Sequence, residues 1–550
     1  MDTVVLGLIF EELDGMASTQ PTNAIQSVVI AGGGAAGWLS AAIIASEHNL
    51  ANNPHLSVTV VESPNVNILG VGEGTWPTMR DTLRRIGIDE ATFLLSCDAS
   101  FKQGTRFINW RTPQSNHAVD VYDHPFGLPA GFFDSDIVPW WLENQNDPRA
   151  GGCFSQLFST QTALCDANKA PRQLQTPPYA GVANYGYHLN AYKFAELLKN
   201  HCIKKLGVEY IRQHIDVVVS DTENDIVALK GKDSDNKEQC IKGDFFIDCT
   251  GFSARLIGEH YGQPLCSLSD MLKNDTALAL QVPYTSENVD IASSTLSTAH
   301  ANGWIWDIGL PQRKGVGCVY SSEYCSDDTA ADALLSYLRN DEKTSLADEG
   351  AIRKISFTPG YRKKTWINNC VAIGTAAGFV EPLEASALVM IELSAKHIAE
   401  HLPTNKSLLA VTAKHFNTLV NIRWQRIVDF LKLHYVLSSR NDSDYWCAMS
   451  DLSGASQNLQ DWLAQWRYRP ISVSDFMYAE ELFPAASYMY VMYGMQPPQQ
   501  SMFNKGRYSP ARMHVAQNAV QQNKQRTQQQ LAALPTNRSY LNALKKGACI

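Results

Sequence analysis

Apolar positions along the chain fall into two patterns. Short continuous runs bounded by glycine or charge predict strands buried on both faces, and stripes at 3.6-residue spacing predict helices. The first run, Ser27-Val28-Val29-Ile30-Ala31, passes through Gly32-Gly33-Gly34-Ala35-Ala36-Gly37 directly into a helix. A second, over residues 56–61, ends at Glu62. Residues 67–77 carry too many glycines for regular structure, and a helical pattern starts at Met79. Residues 99–110 predict one strand with Lys102 and Arg106 on a shared face. Residues 123–185, rich in proline, glycine and aromatics including Trp140 and Trp141, predict long irregular loops walled by rings. A helix is predicted over 189–206 and strands over 208–215 and 226–229. Gly243-Asp244-Phe245-Phe246-Ile247-Asp248-Cys249-Thr250-Gly251 predicts another buried strand, and Cys370-Val371-Ala372-Ile373-Gly374 a further one leading into Thr375. Beyond Leu388 the pattern is nearly all helical, strongly amphipathic over 424–435, with a Gln-rich surface helix near 517–530.

The strand, turn and helix around Gly32, Gly34 and Gly37 keep Gly-x-Gly-x-x-Gly spacing, a dinucleotide-binding pattern. The first glycine allows the tight turn, the second lets backbone approach a pyrophosphate, and the third permits close packing of helix on strand. Free N–H groups at the helix start suit phosphate. Glu62 ends the second strand, where an acidic side chain meets ribose hydroxyls. The same glycines also fit a structural turn, and they do not separate NAD from FAD.

At 550 residues and 45% hydrophobic content, the chain is long enough for one large domain and a second, or for several ordinary ones. A net charge of -9, not gathered into runs, gives no footing for nucleic acid or acidic lipid. The twelve cysteines include no Cys-x-x-Cys pair, and there is no His-Glu-x-x-His, so neither a metal nor a disulfide framework is expected. Scattered thiols read as reduced, in a cytoplasmic protein. Residues 4–10 are apolar but flanked by Asp2, Glu11 and Glu12, unlike the basic start of a signal peptide. Residues 1–24 are expected to be a disordered extension, with Met16 an alternative start. No run approaches the roughly 18 apolar residues that span a bilayer.

Taken in order, these stretches resemble the flavin-dependent tryptophan halogenase family over about residues 25–541. The glycine turn through Trp38 is similar to the family's FAD motif, and Gly70-Val71-Gly72-Glu73-Gly74-Thr75 to its flavin strap. Trp304-Ile305-Trp306-Asp307-Ile308 resembles its Trp-x-Trp-x-Ile-Pro signature, Glu381-Pro382-Leu383-Glu384 its Glu-Pro-Leu-Glu run, and Leu534-Pro535-Thr536-Asn537 a C-terminal element. Gly309 stands in place of the signature's proline, and Ala385-Ser386-Ala387 in place of Ser-Thr-Gly. The resemblance implies an α/β fold: an FAD-binding Rossmann-like module of the flavin monooxygenase type over 25–390, with an inserted mixed substrate-side sheet. A largely helical C-terminal subdomain over 391–550 covers the substrate site.

The implied chemistry starts from reduced FAD (FADH2) supplied by a separate flavin reductase. With O2 it forms a flavin hydroperoxide, chloride or bromide attacks, and hypohalous acid travels to an electron-rich, indole-like aromatic. Lys102 matches the lysine that hydrogen-bonds hypohalous acid or holds the halogen as a haloamine. Glu384 matches the carboxylate that stabilises the arenium cation and takes its proton. Cofactor positions carried over are Gly32, Gly33, Gly34, Ala35, Ala36, Gly37, Glu62, Gly72, Glu73, Ile215, Thr375 and Leu388. Ser386 and Ala387 fall at the halide, and His124 and Phe126, from a shared His-x-Phe-Gly spacing, at the substrate. Trp304 and Trp306 keep substrate from flavin. A homodimer is left open.

Without the resemblance, Lys102 reads as a solvated lysine, Glu384 as a helix N-terminal carboxylate favoured by the dipole, His124 as a turn histidine, and both tryptophans as core aromatics. Trp446 reads as core packing. Competing functions are a flavin-dependent hydroxylase, which needs no distant lysine, and a non-catalytic flavoprotein. Two expectations are particular to this chain. Ala387, replacing glycine, loses access to positive φ, which weakens the halide turn and favours bromide. Residues 472–493 are shortened where free-tryptophan halogenases close over the zwitterion, so indole or a related aromatic is expected to outpace free tryptophan.

Overall fold

The computed structural model describes residues 23–64, 72–113, 119–149, 151–233, 236–345, 352–478, 481–495 and 508–547. Strand Ser27–Ala31 lies inside an eight-stranded sheet, paired in parallel with Ser57–Glu62 on one side and Phe245–Asp248 on the other. Val28, Val29, Ile30 and Ala31 are all buried, as a parallel strand covered on both faces requires. Phe245–Asp248 pairs in parallel with Cys370–Ala372. The turns at Gly32, Thr250-Gly251 and Gly374 therefore open at the same carboxyl edge, where α/β sheets hold ligands. Helix Ala35–Glu47 covers this sheet, and helix Ser386–His401 packs against it.

A seven-stranded sheet runs Arg353–Ser356, Thr276–Pro283, Arg313–Tyr320, Gly303–Gly309, Thr295–His300, Gly104–Ile108, Val121–Pro125. Only the contact between Thr295–His300 and Gly104–Ile108 is parallel, so the sheet is mixed, as expected. A small sheet of Glu73–Gly74, Gly186–Leu189 and Ser100–Lys102 lies between them in sequence and carries Lys102.

Residues 99–110 thus form two strands in different sheets, not one. The chain breaks at Gly104, whose added Cβ would lie 2.4 Å from the His124 carbonyl oxygen, a close approach that suits glycine. Lys102 and Arg106 share no face; Arg106 is paired with Asp123 at 2.8 Å and with Asp166 at 2.5 Å. Residues 123–185 are not loop throughout: helices Ile137–Asn144, Phe154–Phe158 and Thr160–Asp166 lie within them, too short for periodicity to reveal. Trp140 and Trp141 are buried on the first. Residues 67–77 include the short strand Glu73–Gly74.

The stretch 424–435 is not amphipathic. Inside helix Leu409–Val436 it is buried nearly all round, because Arg426, Asp429, Lys432 and His434 find partners within the protein. Helix Pro510–Ala533 is the Gln-rich helix, mostly exposed. Ser386–His401 runs across the boundary expected at 390, and Asn537 bonds both the N–H and the carbonyl of Phe101. Asn23 and Ala24, expected in the extension, are tied to Lys406 and Asn405. Residues 1–22, Gly70 and Val71 of the strap, and residues 479–480 lie outside the described residues. Among the described residues, no helix is long and apolar enough to cross a membrane, and no three-residue group is arranged to hold a metal.

Candidate active site

The nucleotide turn does what its glycines require. Gly32 has φ +119, and a Cβ there would lie 2.2 Å from the Cys249 carbonyl oxygen; one on Gly37 would lie 1.9 Å from Gly32 O. A Cβ on Gly34 would meet nothing within 4 Å, leaving open space at the start of helix Ala35–Glu47. That start has no side-chain cap and no acid in its first turn, so its N–H groups are free for an anion. A side chain on Gly33 would strike Glu62, whose carboxylate accepts from Lys199 Nζ at 2.7 Å. Gly374 presses on Ala36, its virtual Cβ 2.9 Å from that methyl, and Thr375 Oγ1 faces Gly251. The residues fit a dinucleotide cofactor: a tight turn, an open cradle, unspent N–H groups and an acid beside them. Gly72 lies near Ile308, while Leu388 is buried on helix Ser386–His401 and Ile215 at a bulge in the strand Glu209–Ser220. Glu73, half-buried, is pushed up to about 7 by burial.

Lys102 ends its strand 1% exposed, and its Nζ stands 5.5 Å from the Phe126 ring centroid. Among the described residues that nitrogen makes no hydrogen bond or ion pair. Burial pulls the ammonium down to about 8, against the attraction of Glu384. Gly74 separates the two catalytic candidates: its virtual Cβ would be 3.0 Å from Lys102 Nζ and 3.3 Å from the methyl of Ala385, the residue after Glu384.

Glu384 is not a solvated helix-start acid. It is buried, its carbonyl accepts from Trp76 Nε1 at 2.8 Å, and its Oε1 lies 2.9 Å from His124 Nδ1. His434 Nε2 approaches the same oxygen at 3.2 Å, off a straight hydrogen-bond direction. Burial raises the carboxyl, but these two imidazoles outweigh it and hold it down at about 2. Ser386 and Ala387 are the first residues of the helix that follows, so Ala387 needs no positive φ. The left-handed residue is Ala385, at φ +53. The expectation placed at Ala387 therefore moves two residues upstream.

Trp304 and Trp306 stand on one face of strand Gly303–Gly309, ring centroids 6.3 Å apart, both buried. Trp304 Nε1 donates to Glu381 at 2.7 Å, which ties the tryptophan pair to the segment carrying Glu384. Trp446 is buried against Trp110 and Tyr435, a packing residue as expected. Sequence reading missed His434, Tyr122, Phe430 and Phe483, which surround Glu384 and His124. The one available signal was a histidine inside the apolar run Phe430-Leu431-Lys432-Leu433-His434-Tyr435.

A family model for tryptophan halogenase matches residues 27–507. Tryptophan 7-halogenase KtzQ from Kutzneria sp. (strain 744) is 30% identical, over 96% of this chain and 99% of its own. The structure of a tryptophan halogenase from Shewanella frigidimarina NCIMB 400 has 45% identity and a TM-score of 0.89, covering 95% of this chain and 98% of that one. BrvH, a flavin-dependent halogenase from Brevundimonas sp. BAL3, has 29% identity and a TM-score of 0.80, covering 94% and 99%. Matches running almost end to end, on a fold whose glycine turn has room for a flavin nucleotide, make this chain a member of the tryptophan halogenase family, an FAD-dependent halogenating enzyme.

Proposed function

We propose that the enzyme halogenates an indole-like aromatic at a site between Lys102 and Glu384. The observation that carries this is the pair itself: a buried lysine that makes no hydrogen bond among the described residues, and a buried, ionised glutamate whose charge acts on it and whose successor Ala385 lies across Gly74 from it. Bound reduced FAD, supplied by a flavin reductase, provides with O2 the oxidising power that turns halide into hypohalous acid. The glycine turn and the uncapped N–H groups of helix Ala35–Glu47 would hold the pyrophosphate and Glu62 the ribose, with Thr375, Glu73, Ile215 and Leu388 as further residues that would bind the cofactor. The Ser386 hydroxyl meets the halide.

With its ammonium near 8, Lys102 is partly free amine at neutral pH. The amine nitrogen takes halogen from hypohalous acid: an N–halogen bond forms, the O–halogen bond breaks, and water leaves. The aromatic carbon then attacks that halogen: a carbon–halogen bond forms, the N–halogen bond breaks, and the nitrogen takes a proton from water to return to the amine. Alternatively, the ammonium donates a hydrogen bond to intact hypohalous acid. Either way Glu384 faces the arenium charge and accepts its proton, which so strong an acid gives even to a weak base. Trp304 and Trp306 wall substrate away from the flavin, and Phe126 and His124 flank the aromatic.

The substrate class follows from what the site has already spent. Glu481 accepts from Arg426 Nε at 3.0 Å, and Phe483 stacks on Phe430 at 3.8 Å while meeting Trp76 edge-on at 4.8 Å. A clamp for an amino acid needs unspent charges for ammonium and carboxylate. Arg426 and Glu481 occupy each other, so the site favours an aromatic without a zwitterion. The test is product analysis by mass spectrometry with indole and L-tryptophan, chloride or bromide, FAD and a flavin reductase. Halogenated indole forming faster than halogenated tryptophan is expected. Addition of one oxygen in place of halogen would make the enzyme a hydroxylase, and efficient use of free tryptophan over indole would overturn the substrate class.

A further inference from the structure

Glu384 Oε1 has an imidazole on each side, while its Oε2 makes no hydrogen bond among the described residues. The His434 ring is fixed by aromatics: it stacks on Phe107 at 4.6 Å and meets Phe430 edge-on at 5.3 Å. Its Nδ1 lies 2.6 Å from the Tyr122 hydroxyl. Tyr122 also stacks on Phe107, at 4.6 Å and 4°, and stands two residues before His124 on the same strand, so both side chains leave one face. All of these polar groups are buried.

Burial leaves one consistent proton arrangement. A bare imidazole lone pair 3.2 Å from an ionised carboxylate would repel it, so His434 Nε2 carries the hydrogen. Desolvation favours the neutral ring, which leaves the lone pair on Nδ1. The Tyr122 hydroxyl, kept protonated by burial and by the charge of Glu384, donates to it.

We infer that Tyr122 and His434 are positioning residues for Glu384. The Tyr122 hydroxyl fixes His434 in the tautomer whose Nε2–H lies toward Oε1, and that N–H, added to the closer contact of His124, helps keep the carboxylate ionised with Oε2 open to the arenium proton. The inference rests on the proposed role of Glu384. Ionisable groups facing this carboxylate are Lys102 from the small sheet, Tyr122 and His124 from the edge strand, and His434 from the helix, with Asp120 near Tyr122.

Tyr122→Phe keeps the ring stack and removes only the hydroxyl. Expected is a fall in kcat for indole halogenation of roughly tenfold, the scale of losing an outer hydrogen-bond partner, with KM for indole within about twofold. The lowest-pH limb of kcat, set by Glu384 and distinct from that of Lys102, moves to higher pH, because a carboxylate that loses a donor becomes easier to protonate. Hypohalous acid released to a freely diffusing trap stays at the wild-type level. In His434→Gln the amide N–H replaces Nε2–H without a tautomer to fix, so adding Tyr122→Phe to it costs nothing further. A folded Tyr122→Phe enzyme with an unshifted pH profile, or additive losses in the double variant, would overturn the inference. Failure of the unmodified enzyme to halogenate any aromatic would instead strike the proposed function.

Discussion

Two lysine–glutamate sets lie buried in this protein, and they differ in how completely they are satisfied. Lys102 and Lys432 are each 1% exposed, and burial holds both ammonium groups near 8. Lys432 donates to the Met449 carbonyl at 2.8 Å, whereas Lys102 makes no hydrogen bond among the described residues and has the Phe126 ring 5.5 Å away. Glu381 and Glu384 end the same four-residue run. Oε2 of Glu381 collects the Trp304 and Asn274 N–H groups and the Tyr435 hydroxyl, at 2.7, 2.6 and 2.8 Å, and its carboxyl still rises with burial. Glu384, held by imidazoles, falls to about 2. Equal burial thus yields a strut in one set and, under the proposed function, a reagent in the other. The lysines differ in the hydrogen bonds they have left to make; the glutamates, each with one oxygen unbonded among the described residues, differ in their partners, neutral donors for Glu381 and imidazoles for Glu384.

The sharpest way to break this contrast is to remove each ammonium. Lys102→Met should lower aromatic halogenation by about 10³-fold or more, the scale of losing a nucleophile or a key electrostatic contact. Flavin binding, followed by its absorbance, and hypohalous acid release should persist. Lys432→Met should leave halogenation within about twofold, because an apolar side chain replaces a buried charge at little cost. Equal losses in both variants would show that the two lysines are not distinct. Next in size are the carboxylates. Glu384→Gln should cost roughly 10²-fold in kcat, as the amide keeps shape but neither charge nor basicity. Glu381→Gln can keep its oxygen under the three donors, so it should cost about 1–2 kcal/mol of stability in a denaturant titration and little rate.

Sequence reading reached these sets unevenly. The nucleotide half was legible because each feature is a local physical requirement: a continuous apolar run for a doubly covered strand, and glycine where Gly32, Gly34 and Gly37 leave no room or must leave room. Lys102 and Glu384 were found by likeness to a family; their surroundings alone made one a solvated lysine and the other a helix-start acid. Both are buried, for reasons no local pattern carries. Lys102 is turned away from Arg106 by the break at Gly104, forced by the backbone of a strand that follows it in sequence. His434 and Lys432 sit in a stretch whose polar residues read as a solvent face and instead find partners from distant segments, Tyr122 and Met449 among them.

A pH titration separates the lysines by sign as well as size. If the free amine of Lys102 carries halogen, the single-turnover halogenation rate rises as the group near pH 8 loses its proton, by roughly tenfold from pH 7 to 9 for one titrating group. A falling rate over that window would favour the ammonium and a hydrogen-bonded hypohalous acid. Lys432→Met should leave this profile unchanged and move stability instead. A lysine whose folded pKa is depressed binds its proton better when unfolded, so its penalty is full below about 8 and fades toward its ordinary value near 10.4. The stability advantage of Lys432→Met should therefore be largest below pH 8 and shrink above it.

The smallest expected effect concerns Ala385, whose backbone joins Glu384 to Ser386. At φ +53 and ψ 43 it occupies the left-handed region, which costs a non-glycine residue about 1–2 kcal/mol. Glycine relieves that strain but loses more freedom on folding, so Ala385→Gly should raise stability by only about 1 kcal/mol or less. The methyl it removes borders the space at Gly74 beside Lys102. Wild type is expected to use bromide over chloride at equal concentrations, since bromide is less costly to desolvate, and Ala385→Gly should keep that ratio. A shift toward chloride in the glycine variant would show that the strained turn, rather than halide hydration, sets the preference, and would place halide choice at the residue that directly follows the run from Glu381 to Glu384.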